Sequence, residues 1–195
     1  MKIEDVFDDV YTGFNIINSR STNIVEDVYF IQKDSIEYTN IIKNILIKKK
    51  VSSNIKKKYV LEGRDIIISL KKPYKVGTCR FEMKDKKVII PNNFIILRGI
   101  NRDLYSYIFV ANYLEKIGID KFIREHSDLK KDNKDLTVSD IKSIELPKIS
   151  KDEQMKISNL MNNINDRSAI YSTILKNDDE IIRYALNLVV GDNNA

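Results

Sequence analysis

At 195 residues, with 43% hydrophobic and 31% charged residues, six glycines and three prolines, the chain has material for a real core and is not a disordered polymer. No stretch reaches the ~18 uninterrupted apolar residues of a membrane span, and "MKIEDVFDDV" lacks the basic start and apolar run of a signal peptide; a soluble, intracellular, cytoplasmic protein with no membrane partner is expected. One cysteine, Cys79, and one histidine, His126, exclude an internal disulfide and argue against a zinc site.

The formal charge of +5 is unevenly spread. Residues 1–150 carry 28 Lys/Arg against 21 Asp/Glu, whereas residues 151–195 carry 5 against 7. Within the first part, Lys43 to Lys87 holds 15 basic and 4 acidic residues. A solvated lysine-rich surface is one explanation; a block this one-sided more often meets a polyanion, usually nucleic acid.

In chain order, "NIVEDVYFIQ" reads as a strand and "NIIKNILIKKK" as an apolar run ending in three lysines. "RDIIISL", "VGTCRFEMK", "KVIIP" and "NFIILRG" are β-rich, with turn signals between them at Lys71 to Tyr74, Asp85-Lys86 and Asn92-Asn93. These four segments are expected as neighbours in one twisted, mainly antiparallel sheet. "RDLYSYIFVANYLEKIG" predicts a helix with Leu104, Tyr107, Ile108, Ala111 and Leu114 on one face and Gly118 as its stop. Tyr105, Tyr107 and Tyr113 suit core or rim packing better than base stacking. "SDLKKDNKD" is a polar loop, "TVSD" a capping box opening a short helix, and "SIELP" a brief strand closed by a proline.

Ser150-Lys151-Asp152-Glu153 is a second capping box, and apolar residues recur after it in one heptad frame. They are Ile157, Leu160, Met161, Ile164, Tyr171, Ile174, Leu175, Ile181, Ile182, Ala185, Leu188 and Val189, interrupted by Arg167, Ser168 and Asp178. A helix from Lys151 to Val190 spans roughly 60 Å at ~1.5 Å per residue, too long to bury that stripe on a small domain. It is expected to protrude and pair with another helix in an antiparallel or bundle arrangement, Arg167 and Asp178 setting register or orientation if they pair. The alternative is two shorter helices folded as a hairpin at "KNDDE".

Enzymatic signatures are few. The glycines stand alone at 13, 63, 77, 99, 118 and 191, so no phosphate-binding loop or dinucleotide turn occurs, and there is no Asn-Pro-Pro-aromatic or Asp-Pro-Pro-aromatic run. Asp65 with Glu82-Met83-Lys84 has the spacing of Asp…Glu-x-Lys nucleases, in which two carboxylates hold Mg²⁺ and a lysine assists water. The alternative role for Asp65 is a turn residue before a buried strand.

"LEGRDIIISLKKPYKVG" resembles the Gly-Asp-hydrophobic strand and loop in target recognition domains of specificity (S) subunits of type I restriction-modification systems. "KIEDVFDDVYTG" resembles their opening element, "NRDLYSYIFVANYL" their mid-domain helix, and "DLTVSDIKSIELPKISKDEQMKI" the junction leading into a long helix. Two departures stand out: Arg64 separates Gly63 from Asp65, and the chain has one recognition domain and one long helix where full S subunits have two of each.

The resemblance implies an α/β (α+β) fold, with a twisted mainly antiparallel sheet and helices forming a recognition domain over 1–149. A long coiled-coil-like dimerisation or spacer helix follows over 150–191, then a disordered tail over 192–195. It implies a non-catalytic, DNA-reading half-subunit acting in host defence, with double-stranded DNA, modification subunits and restriction subunits as partners, and a homodimer or a second half-subunit completing it. No cofactor is expected on this chain; S-adenosylmethionine, ATP and Mg²⁺ would belong to partners. For DNA, Lys71, Lys72, Tyr74 and Lys75 are first candidates, then Asn15 and Arg20, and Lys130, Lys131 and Asn133. Lys48, Lys49, Lys50, Lys56, Lys57 and Lys58 suit phosphate contacts. The dimerisation candidates are the stripe residues from Ile157 to Leu188. Other readings are the Mg²⁺-dependent nuclease and an S-like regulator without DNA specificity of its own.

Overall fold

The computed structural model describes residues 1–15, 21–41, 46–53, 55–79, 86–126 and 135–191. The chain divides into two compact units, Met1–Ser158 and Asn159–Ala195.

In the first unit, six strands form one sheet in the order β1 (Phe7–Thr12), β9 (Phe94–Ile100), β6 (Ile66–Ser69), β7 (Val76–Thr78), β4 (Asn40–Ile41), β3 (Ile36–Glu37). All its pairings are antiparallel except the one between β4 and β7. The runs "IIIS" and "FIIL" lack polar alternation because both faces of this sheet are covered. Ile66, Ile68, Ile95 and Leu97 face one core, with Val110, Leu114 and Phe122. Ile67, Phe94 and Ile96 face another, with Ile36, Ile41 and Ile90.

A second sheet has the order β5 (Ile47–Ser53), β2 (Ser21–Phe30), β8 (Val88–Ile89). The expectation for "KVIIP" is corrected here: β8 runs parallel to β2 instead of joining β6, β7 and β9. Val88 and Ile89 are both fully buried, so the run carries no face preference by which its partner could be chosen. The expected strand in "VGTCRFEMK" is described only as Val76–Thr78, and residues 80–85 lie outside the described residues. "NIIKNILIKKK" contains all of β4 and most of β5.

Helix α1 (Tyr107–Tyr113) passes through a π turn over Leu114–Gly118 into α2 (Ile119–Glu125), so Gly118 does not stop the helix. Its φ of −62° is ordinary helix, and a Cβ there would press on the Tyr113 ring at 2.8 Å. The expected apolar face is also shifted. Leu104 precedes the helix and is exposed, Ile108 is half-buried, and Phe109, Val110, Ala111 and Leu114 make the core contact. Tyr105 and Tyr113 pack as expected, their hydroxyls donating to the carbonyls of Pro147 and Glu145.

Thr137 caps α3 (Val138–Ser143) through the box with Asp140. "SIELP" makes a single bridge, Lys2 to Glu145, rather than a strand. The Ile3 N–H donates to Ile144 O and the Leu146 N–H to Met1 O, clamping the N-terminal residues against the segment before Pro147.

Helix α4 (Lys151–Gly191) is continuous for 41 residues, which removes the hairpin at "KNDDE". Its cap is as the sequence predicts: the Glu153 N–H donates to Ser150 Oγ at 3.3 Å, and Glu153 Oε2 accepts from the Ser150 N–H at 2.9 Å and its hydroxyl at 2.8 Å. Gln154, one residue on, is buried; its amide accepts from the Ser106 N–H and donates to Leu104 O. Hydrogen bonds from Ser150 hold the Glu153 carboxyl below its ordinary 4.5. The folded value lies under the unfolded one, so this cap stabilises above the unfolded value and is lost as pH falls through the folded one. Glu153→Gln is expected to lack that acid-side loss, read as a flatter dependence of melting temperature on pH in the carboxylate range.

Candidate nucleic-acid interface

The lysines divide by what they already touch. On β5, an edge strand, Lys48 bridges to Asp27 at 2.8 Å and Lys49 lies 5.7 Å from the centre of the Phe30 ring. Lys50, opposite Asp27 in the register, is exposed. Beyond them Lys87 reaches Glu26 at 2.5 Å and Lys86 covers Tyr29 at 4.8 Å. Lysines along an edge also oppose strand addition by another chain, so part of this charge protects the sheet. Lys56 and Lys57 are exposed beside the turn Lys57–Tyr59. Lys58 lies over the rings of Tyr11 and Tyr59 at 5.3 and 5.1 Å, and its carbonyl accepts from the Tyr11 hydroxyl at 2.7 Å. Burial raises that hydroxyl's pKa.

The loop after β6 is held in shape from outside. Lys33 Nζ donates to the carbonyls of Lys71 and Lys72 at 2.6 and 3.0 Å, and the Lys75 N–H donates to Ser69 Oγ at 2.8 Å. Lys72 is exposed and Lys71 bridges to Asp135 at 3.6 Å. Tyr74 is half-buried against the helical side of the large sheet, and burial raises its pKa, with the negative charge of Asp135 adding to the effect. The structure therefore presents Lys71 and Lys72 together while turning Tyr74 inward. Asn15 is half-buried and engaged, and Arg20, Lys130, Lys131 and Asn133 lie outside the described residues.

Asp65 is a structural partner. Its carboxylate is 2% exposed and accepts from Arg98 Nε at 2.8 Å, Arg98 Nη2 at 2.6 Å and the Glu62 N–H at 2.8 Å. Arg98 Nη2 also donates to Val60 O at 2.8 Å, tying β9 to the turn before β6. Burial raises the Asp65 pKa, with the hydrogen bonds from Arg98 and Glu62 opposing it. A carboxylate saturated by a guanidinium and an amide is not disposed as a Mg²⁺ ligand. Among the described residues no three His, Cys, Asp or Glu side chains are grouped to hold a metal, and Glu82 and Lys84 lie outside those residues. Asp65 thus takes its turn role.

The candidates read from the sequence omitted Arg64 and Arg102. They line a shallow groove of about 240 Å³ with Glu62, Gly63, Arg98 and Gly99. Arg64 sits at φ +73°, which the turn Glu62–Asp65 requires. In the sequence, the inserted arginine of "EGRD" is what sets Arg64 apart.

No family model and no curated protein matches the chain. Solved structures do. A chain from work on complex assembly and conformational transition of the type I R-M system matches at TM-score 0.58 and 17% identity, over 94% of this chain and 42% of that one. The HsdS subunit from Thermoanaerobacter tengcongensis matches at TM-score 0.58 and 15% identity, over 96% of this chain and 48% of that one. No helix among the described residues is long and apolar enough to cross a membrane. With its mixed sheets, flanking helices and long C-terminal helix, the chain has the fold of HsdS specificity subunits of type I R-M systems and spans less than half their length.

Proposed function

We propose that the chain is one half of a DNA-specificity subunit, reading one half-site and joined through α4 to a second half. The observation that supports this reading is that the matches take in 94–96% of this chain and only 42–48% of the longer ones, the share that one recognition domain and one long helix would take. The exposed lysines on β5 and at the turn Lys57–Tyr59 hold phosphates, and the loop bearing Lys71 and Lys72 approaches the bases. Methyl transfer and cleavage belong to modification and restriction subunits, which carry S-adenosylmethionine, ATP and Mg²⁺.

Two identical halves related by a twofold axis read an interrupted palindrome. Selection from a random duplex library, with and without a modification subunit, is expected to enrich such sites. Enrichment of one contiguous asymmetric site, or no enrichment in either condition, overturns the reading, the second outcome favouring an S-like regulator. Replacing Lys50, Lys56 and Lys57 with Ala is expected to weaken all sequences alike and to flatten the plot of log K against log salt by about 2–3 in slope.

A further inference from the structure

In α4 the heptad places Ile157, Ile164, Tyr171, Asp178 and Ala185 at one core position and Leu160, Arg167, Ile174, Ile181 and Leu188 at the other. The apolar members are exposed in a single copy, Ile164 by 44%, Ile174 by 48% and Ile181 by 65%. Arg167 and Asp178 interrupt the face and have no hydrogen-bond or ion-pair partner among the described residues, although neighbouring Asp179 pairs with Arg183 at 2.8 Å. Eleven residues apart on one continuous helix, they are separated by roughly 16 Å and cannot meet within a chain.

We infer that α4 pairs antiparallel with α4 of a second copy in a single register, fixed by Arg167 of each copy meeting Asp178 of the other. The inference rests on the dimerisation part of the reading above, in which two identical halves share a twofold axis, and adds to it the register and the residues that fix it. In an antiparallel pair, each of the two core positions faces the other kind across the seam, and facing residue numbers add to a constant. The alignment that sets Arg167 against Asp178 also sets Ile164 against Ile181 and Tyr171 against Ile174. Toward the ends it sets Leu160 against Ala185 and Ile157 against Leu188. Every other core layer is then apolar on both sides, and the two ion pairs flank the twofold axis symmetrically.

The alternatives each leave charge uncompensated. Sliding one copy by a heptad puts Arg167 against Tyr171 or Ala185, and Asp178 against Leu160 or Ile174. A parallel pair puts Arg167 against Arg167 and Asp178 against Asp178. An unpaired charge in a seam costs far more than a paired one returns, so the pair selects the register by penalising the others.

The test uses full-length variants followed by sedimentation velocity over a dilution series, with far-UV circular dichroism as the fold control. Arg167→Asp alone and Asp178→Arg alone each juxtapose like charges twice and are expected to weaken self-association at least about a hundredfold. Mixed one to one, these two variants complement at both sites and are expected to form a heterodimer near wild-type affinity. The double variant R167D/D178R is expected to restore the homodimer. Single variants that self-associate like wild type, or weakened variants that neither mixing nor the double change rescues, overturn the register. If deletion of residues 151–195 leaves the chain dimeric, the dimerisation reading itself fails, and the two failures are thereby separate.

Discussion

Asp65→Ala is expected to cost about 3–5 kcal/mol of folding stability, seen as a lower urea midpoint with the helix content of the folded baseline unchanged. The magnitude comes from what is left behind. Arg98 is only 16% exposed at its side chain, and its Nε and one Nη2 bond lose their acceptor when the carboxylate is removed, leaving the guanidinium Val60 O and the more exposed Glu62 carboxylate, 3.4 Å from Nη1. The Glu62 N–H loses its acceptor as well, and the turn that holds Arg64 at φ +73° loses its brace. The pair as a whole need not stabilise much, because burial disfavours the Asp65 charge strongly enough to raise its pKa. Arg98→Ala in the Asp65→Ala background is therefore expected to add much less than its own single effect, a non-additivity that marks one interacting unit. A stability loss of under ~1 kcal/mol for Asp65→Ala would show that the clamp does not hold the turn.

Ile164→Asp combined with Ile174→Asp is expected to give a soluble monomer while the Met1–Ser158 unit melts as in wild type. Both positions face apolar partners in the antiparallel pair, and symmetry doubles each substitution, so four carboxylates enter the seam without partners. Even heavily solvated, each such group costs a few kcal/mol, enough in total to raise the dissociation constant by many powers of ten. An unchanged sedimentation coefficient sinks the helix as the interface. On DNA the variant is expected to retain contact with a half-site and lose its preference for the full palindrome.

Legibility followed locality. The strands Ile66–Ser69 and Phe94–Ile100 are dense in β-branched residues, and both helix caps, Thr137 with Asp140 and Ser150 with Glu153, are signals within four residues. The length of α4 was readable because one stripe persists across its polar interruptions, and "KNDDE" does not break it since none of its residues is a strong helix breaker. What failed was non-local. The parallel partner of Val88–Ile89 is nearly 60 residues away in β2, and a two-residue buried run gives no register to predict it. Gly118 misled because glycine ends a helix only when a left-handed residue is wanted there, and packing against Tyr113 overrode its modest cost of about 1 kcal/mol. The Asp65–Arg98 clamp joins residues 33 apart, so Asp65 alone could be read either as a turn residue or as a metal ligand. The loop lysines were visible as charge, but that Lys33 would hold their backbone from another element was not.

The unbroken α4 makes helix formation and association one equilibrium. Beyond Ser158 its side chains are mostly exposed in a single copy, so little packing in that copy supports more than thirty helical residues. Helices without tertiary support are marginal in water, and this one is rich in isoleucine and asparagine, which are not strong helix formers. Its amide hydrogens will thus exchange with solvent at rates that rise on dilution, as monomer is released, while those of the central strands Ile66–Ser69 and Phe94–Ile100 keep a protection independent of concentration.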